Sequence, residues 1–161
     1  MKNKINIAAV VKKLDFSDNC FYMTKEFNKA LEITDLMIST SLFFSTPSSE
    51  PLPVRSCFSH QFSHYLASYS GMAIATNIKD VDSILKIAGG ASVYLYLWNL
   101  PWNYRNIDFE SSVKVMRDPR VKIIARSKSH YQAIENFCNK EPVAIIDNWD
   151  IEKLSELYRN S

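Results

Sequence analysis

Glycine is almost missing from this chain. Gly71, Gly89 and Gly90 are the three among 161 residues. Walker loops and dinucleotide-binding fingerprints need several glycines at fixed spacing, so this scarcity excludes both. A Gly-x-Ser-x-Gly nucleophile elbow is absent too. Cysteine is equally sparse. Cys20, Cys57 and Cys138 form an odd, scattered set, which argues against a disulfide scaffold and fits reduced thiols in a cytosol. No run approaches the ~18 apolar residues of a membrane span. The longest, Val93 to Trp98, is strand-sized. The start Met1-Lys2-Asn3-Lys4 is basic, but no apolar stretch long enough for a signal peptide follows. The expectation is a cytoplasmic protein with no membrane partner. Excess charge is lacking as well. Nineteen basic and 17 acidic residues leave a net charge of +2. That is too little to imply nucleic acid, although a local basic patch remains compatible with it.

What is present is an ordinary globular composition. Hydrophobic residues make up 47% and charged residues 22%. The length suits one domain, 1–161, with a sizeable core. Within it, residues 45–57 read as an irregular loop, with Pro47, Pro51, Pro53 and several serines.

Six strands alternate with helices. The strands read at Ile5–Val11, Asp35–Phe44, Met72–Thr76, Ala91–Trp98, Val121–Ala125 and Pro142–Ile146. Lys12 to Tyr22 reads as a loop, with Thr24 capping a first helix through Phe27, Ala30 and Leu31. Phe58, Phe62, Tyr65, Leu66 and Tyr69 predict a second helix, ended by Gly71. Val81, Ile84, Leu85 and Ala88 mark a third, ended by Gly89-Gly90. Val113 and Met116, then Ile134, Phe137 and Cys138, then Ile151, Leu154 and Leu157 mark three more. Ser127 and Asp150 stand where N-caps belong. This alternation predicts right-handed crossovers and a doubly wound, mostly parallel α/β sheet with helices on both faces, a Rossmann-like architecture. Ligands of such sheets bind outside the carboxyl ends of the strands.

Four groups could carry chemistry. Cys57, His60 and His64 would share one helix face at one-turn spacing and could hold a transition metal. The metalloprotease pattern is incomplete, because Gln61 stands where its glutamate should be. The same histidines could simply rim the helix. The turn Trp98-Asn99-Leu100-Pro101-Trp102-Asn103-Tyr104-Arg105 offers rings to stack on sugars or bases, and polar groups to bond them. Alternatively, Trp98 and Trp102 anchor the core. Arg126-Ser127-Lys128-Ser129-His130 opens a helix and would attract an anion, or is an ordinary cap with solvated basic neighbours. Asp15 follows the first strand and is the candidate general base. Asp147 and Asp150 read as a turn residue and a cap.

The string Val121-Lys-Ile-Ile-Ala-Arg-Ser-Lys-Ser-His-Tyr-Gln-Ala-Ile-Glu-Asn-Phe-Cys, followed by Pro142-Val-Ala-Ile-Ile-Asp-Asn-Trp-Asp-Ile-Glu-Lys-Leu, resembles the end of the N-terminal domain of GT-B glycosyltransferases. Ser127, Asn148 and Asp150-Ile151 hold the places of that family's serine cap, asparagine turn and following Asp-Ile. The resemblance covers about residues 70–155. It breaks after the first strand, where Lys12-Lys13-Leu14-Asp15 replaces the family's glycine-rich turn. It implies an acceptor-side domain, with substrate along Lys12, Asn77, Trp98, Asn99, Trp102, Tyr104, Arg126, Ser127 and Lys128. The resemblance further implies that this chain alone binds no cofactor. A nucleotide sugar would enter through a partner chain carrying the donor-binding domain, or through a homo-oligomer. The acceptor would be a glycan precursor, a protein or modified DNA. Some phage enzymes that glycosylate hypermodified DNA bases have such folds, and the Lys, Asn, Ile and Tyr content is compatible with a phage chain. A binding or inhibitory protein without catalysis, on the same scaffold, is the alternative expectation.

Overall fold

The apolar runs assemble into one seven-stranded sheet, every neighbouring pair parallel, in a computed structural model that describes residues 4–33, 37–47, 54–103 and 108–161. The strands are β1 (Ile5–Val11), β2 (Ile38–Phe44), β3 (Ser59–Phe62), β4 (Ser70–Ala75), β5 (Gly90–Tyr96), β6 (Val121–Ala125) and β7 (Ala144–Ile145). Their order across the sheet is β3-β2-β1-β4-β5-β6-β7. The chain moves outward one way from β1 to β3 and the other way from β4 to β7. Crossovers of one hand must therefore fall on opposite faces of the two halves.

The helices obey this rule. They are α1 (Asp18–Lys29), α2 (Ile78–Ile87), α3 (Phe109–Arg117) and α4 (Lys128–Cys138), while α5 (Ile151–Arg159) follows the last strand and is not a crossover. One core packs Met23 and Phe27 of α1 and Ile151 and Leu154 of α5 against Ile7, Tyr94 and Tyr96. The other packs Val81 and Ile84 of α2, Met116 of α3 and Ile134 of α4 against Ala8, Leu95 and Ile123. Alternate residues of each strand serve alternate faces, which explains why the strands read as unbroken apolar runs.

Several expectations need correction. The sheet has seven strands rather than six, because the stretch predicted as a helix from Phe58 forms β3 and then a 3-10 turn, Ser63–Ser68. Phe58, His60 and Phe62 fit the two-residue strand period as well as the helical one, and pairing with β2 selects the strand. Gly71 ends no helix. It lies inside β4 with φ +143, and a Cβ there would stand 2.5 Å from the Asn6 carbonyl oxygen. The first helix begins earlier than expected. Ser17 is its cap, accepting from the Cys20 amide at 3.3 Å. Thr24 is a buried interior residue of α1. Part of the predicted second strand, including Asp35, and Pro51 and Pro53 of the loop lie outside the described residues.

Gly71 gives the sharpest test of the fold. Gly71→Ala should lower the urea unfolding free energy by at least about 2 kcal/mol, through left-handed strain and the clash with Asn6. An unchanged midpoint would contradict the placement of β4 against β1.

Candidate functional site

The strand order reverses between β1 and β4, and in open parallel sheets ligands bind outside the carboxyl ends at such a reversal. Lys12, Asp15 and Ser17 follow β1, while Thr76, Asn77 and Asp80 follow β4. The ends are closely tied. Thr76 donates from its amide to the Val10 carbonyl at 3.3 Å, and the Lys12 carbonyl accepts from the amides of Ser45 and Thr46 at 3.1 and 2.9 Å.

Each predicted residue here has a structural duty as well. Asp15 accepts from the Ser17 amide at 3.2 Å and from the Ser17 hydroxyl at 2.5 Å, which shapes the turn into α1. Asn77 caps α2, accepting from the Asp80 amide at 2.9 Å, while its own amide donates to the Asp80 carboxylate. Asp80 went unnoticed in the sequence because a carboxylate three residues past an asparagine reads as a helix-capping partner. Burial makes it more than that. Partial burial pushes its carboxyl up to about 6, against the opposing pull of the Asn77 hydrogen bond and the Lys12 charge. An acid with that affinity is ionised at neutral pH and still basic enough to take a proton. Cys20, below the same loop, is buried, and burial pushes its thiol above the ordinary range, so it offers no thiolate.

The β1–α1 turn is hostile to phosphate. Asp15 and Asp18 place two carboxylates where a pyrophosphate would meet the helix dipole. The start of α4 differs. Ser127 caps it, accepting from the His130 amide at 3.2 Å, and no acidic residue stands in its first turn. Lys128 is exposed beside it.

Farther along the edge, at the ends of β5 to β7, Trp98 is only 8% exposed. The Arg126 guanidinium lies 4.0 Å from its ring centre, and Tyr22 stacks against it at 5.6 Å. Arg126 also faces Asp147 at 3.9 Å. Tyr96, beneath Trp98, donates to the Ile146 carbonyl at 2.9 Å, and burial pushes its phenol up to about 12. Trp102 packs on Phe137 at 4.3 Å, away from Trp98's partners. The turn thus separates its two indoles into different packing groups. Exposed Asn99 follows Trp98, and Tyr104 lies outside the described residues.

The metal expectation loses its geometric basis. His60 sits in β3 and His64 in the 3-10 turn, so they do not share a helix face. Among the described residues, no three His, Cys, Asp or Glu side chains gather into a ligand set. No helix among them is long and apolar enough to cross a membrane.

The raised Asp80 pKa has a pH signature. The folded value, about 6, exceeds the ordinary 3.8, so the folded chain holds a proton that the unfolded chain gives up earlier. Stability contributed by that proton is present below 3.8 and is lost as pH rises toward 6. Asp80→Asn should remove this loss. It should raise the unfolding free energy at neutral pH by roughly 1–2 kcal/mol, discounted for partial exposure, and flatten urea-midpoint curves across that window. Parallel curves for the two proteins would contradict the assignment.

Comparison of the chain with protein-family models, with curated proteins and with solved structures finds no match, so the chemistry of the site rests on its own side chains.

Proposed function

We propose that this chain is the acceptor-binding component of a glycosyltransferase-like activity, with the sugar nucleotide held by a separate domain on a partner chain. The observation that carries the reading is Asp80 at the order reversal, buried enough to hold its proton to about pH 6, within electrostatic reach of Lys12 and bonded to Asn77. A transfer to a hydroxyl needs a base that receives the hydroxyl proton as the oxygen attacks, and Asp80 fits that role better than Asp15. Ser17 already engages Asp15 twice. Lys12 and Asn77 supply donors for acceptor oxygens. The absence of a glycine cradle, together with Asp15 and Asp18 at the α1 entrance, supports placing the diphosphate of the donor elsewhere.

A second reading, binding without chemistry, draws support from Trp98. Its ring is already covered by Arg126 and Tyr22 and is poorly placed to stack on a substrate. The cavity of about 360 Å³ between α2, β5 and β6 lies at the opposite, amino-terminal edge, bounded by Leu85, Arg120 and Lys122.

Amide chemical-shift titration separates the readings. A hydroxyl-bearing acceptor, either an oligosaccharide or a duplex containing 5-hydroxymethylcytosine, should perturb Lys12, Thr76, Asn77 and Asp80. Uridine diphosphate glucose alone should perturb none of them. A sugar nucleotide that binds unaided at the β1–α1 turn would overturn the proposal. Failure of every acceptor class would favour the non-catalytic reading.

A further inference from the structure

We infer that Arg126, at the carboxyl end of β6, anchors an oxyanion site that takes a phosphate group. The inference is independent of catalysis and holds under either reading above. Arginine is always charged, and its planar fork of N–H donors matches the oxygens of a phosphate or a carboxylate. Two other arginines show what a satisfied fork looks like in this chain. Arg117 donates to the Cys138 carbonyl at 2.6 Å, and Arg120 grips Asp118 through Nε at 3.0 Å and Nη2 at 2.7 Å. Arg126 is held differently. Its guanidinium lies over the Trp98 ring at 4.0 Å, and Trp98 is itself buried and stacked on Tyr22. That contact fixes the group without using its N–H donors. The Asp147 carboxylate stands 3.9 Å from Nε, beyond hydrogen-bond range. Among the described residues, Arg126 donates no hydrogen bond.

A guanidinium already seated on an indole has given up part of its rotamer freedom, so a ligand loses less entropy in meeting it. The side chain is 35% exposed, and it lies at the sheet edge where parallel sheets take their ligands. Asp147, 65% exposed, is a neighbour that an incoming anion can displace. Charge selects phosphate over carboxylate. Lys128 is exposed two residues farther on, and no acidic residue stands in the first turn of α4. Asp150 is engaged by Lys153 at 3.5 Å. Arg126 and Lys128 set against Asp147 leave net positive charge at this turn. A phosphate monoester carries close to two negative charges at neutral pH, and it answers that charge more fully than a singly charged carboxylate. The group can arrive on a sugar or on a nucleotide, which present the same oxygens.

Nuclear magnetic resonance of the full chain, titrated with inorganic phosphate at constant ionic strength, tests the site. Phosphate should shift the Arg126 Nε–H and Trp98 indole N–H resonances saturably, and acetate at the same concentration should not. The Trp98 resonance then follows the variants. Arg126→Gln should weaken binding by about tenfold or more, and Arg126→Lys by nearly as much, because a charge without the fork is not enough. Asp147→Asn should tighten binding about threefold by removing a competing carboxylate. Arg120→Gln, whose side chain is occupied by Asp118, should leave binding unchanged. If Arg126→Gln fails to fold by circular dichroism, Asp147→Asn decides the matter. The absence of a saturable shift, an equal response to acetate, or binding indifferent to both Arg126→Gln and Asp147→Asn would overturn the proposal. A hexose monophosphate and uridine diphosphate distinguish the sources. The one that shifts Arg126 at the lower concentration identifies what carries the phosphate, and failure of both would overturn the site.

Discussion

Trp149 closes the α1 face of the sheet, and the arrangement of that face depends on how it is held. Asn148 and Trp149 both have left-handed backbone angles, φ 46 and φ 62. Such a conformation costs a residue with a side chain roughly 1–2 kcal/mol. Burial offsets it. The indole is 1% exposed, meets Tyr96 edge-on at 4.8 Å and Phe27 at 5.9 Å, and donates to the Asn19 side chain at 2.8 Å. The left-handed pair turns the chain out of β7 and brings α5 back over β5, beside α1. Polar contacts then secure the two helices. Lys29 reaches Glu152 at 2.9 Å, and the Ile151 amide donates to Glu26. The Lys29–Glu152 pair is exposed and weak and the Glu26 bond is long at 3.4 Å, so the indole dominates.

The same clamp orders the carboxyl edge. Tyr96 touches Trp149, bonds the Ile146 carbonyl and underlies Trp98, on which Arg126 rests. The polar ends of β5, β6 and β7 are therefore positioned by a core residue, whereas the carboxyl ends of β1 and β4 are positioned by turn hydrogen bonds. Rigid packing lies on one side and titratable groups on the other, which is a sensible division for a binding edge.

Much of this was legible in the sequence. Ser127 and Asp150 look like caps and are caps, because local hydrogen bonding decides them. The parallel sheet follows from apolar runs separated by helical stripes. What was not legible depended on distant partners. Ser59 to Phe62 becomes a strand because β2 offers it a ladder, and its own spacing suits either structure. Ser17 outcompetes Thr24 as a cap because Asp15 folds onto it and the Cys20, Met23 and Phe27 stripe begins there. Gly71 reads as a terminator until Asn6 is seen against it. Asp80 looks like an exposed helix-start carboxylate, and only its depth beside Lys12 distinguishes it. Trp98 invites a stacking role, yet the structure supplies its ring partners from within.

Urea unfolding of Trp149→Ala tests the clamp most directly. The account predicts a loss of about 3–5 kcal/mol, the cost of emptying a large buried aromatic site, even though the substitution relieves part of the left-handed strain. A loss below about 1 kcal/mol, within the range of an ordinary surface change, would contradict Trp149 as the residue that holds α5 and the carboxyl edge in place.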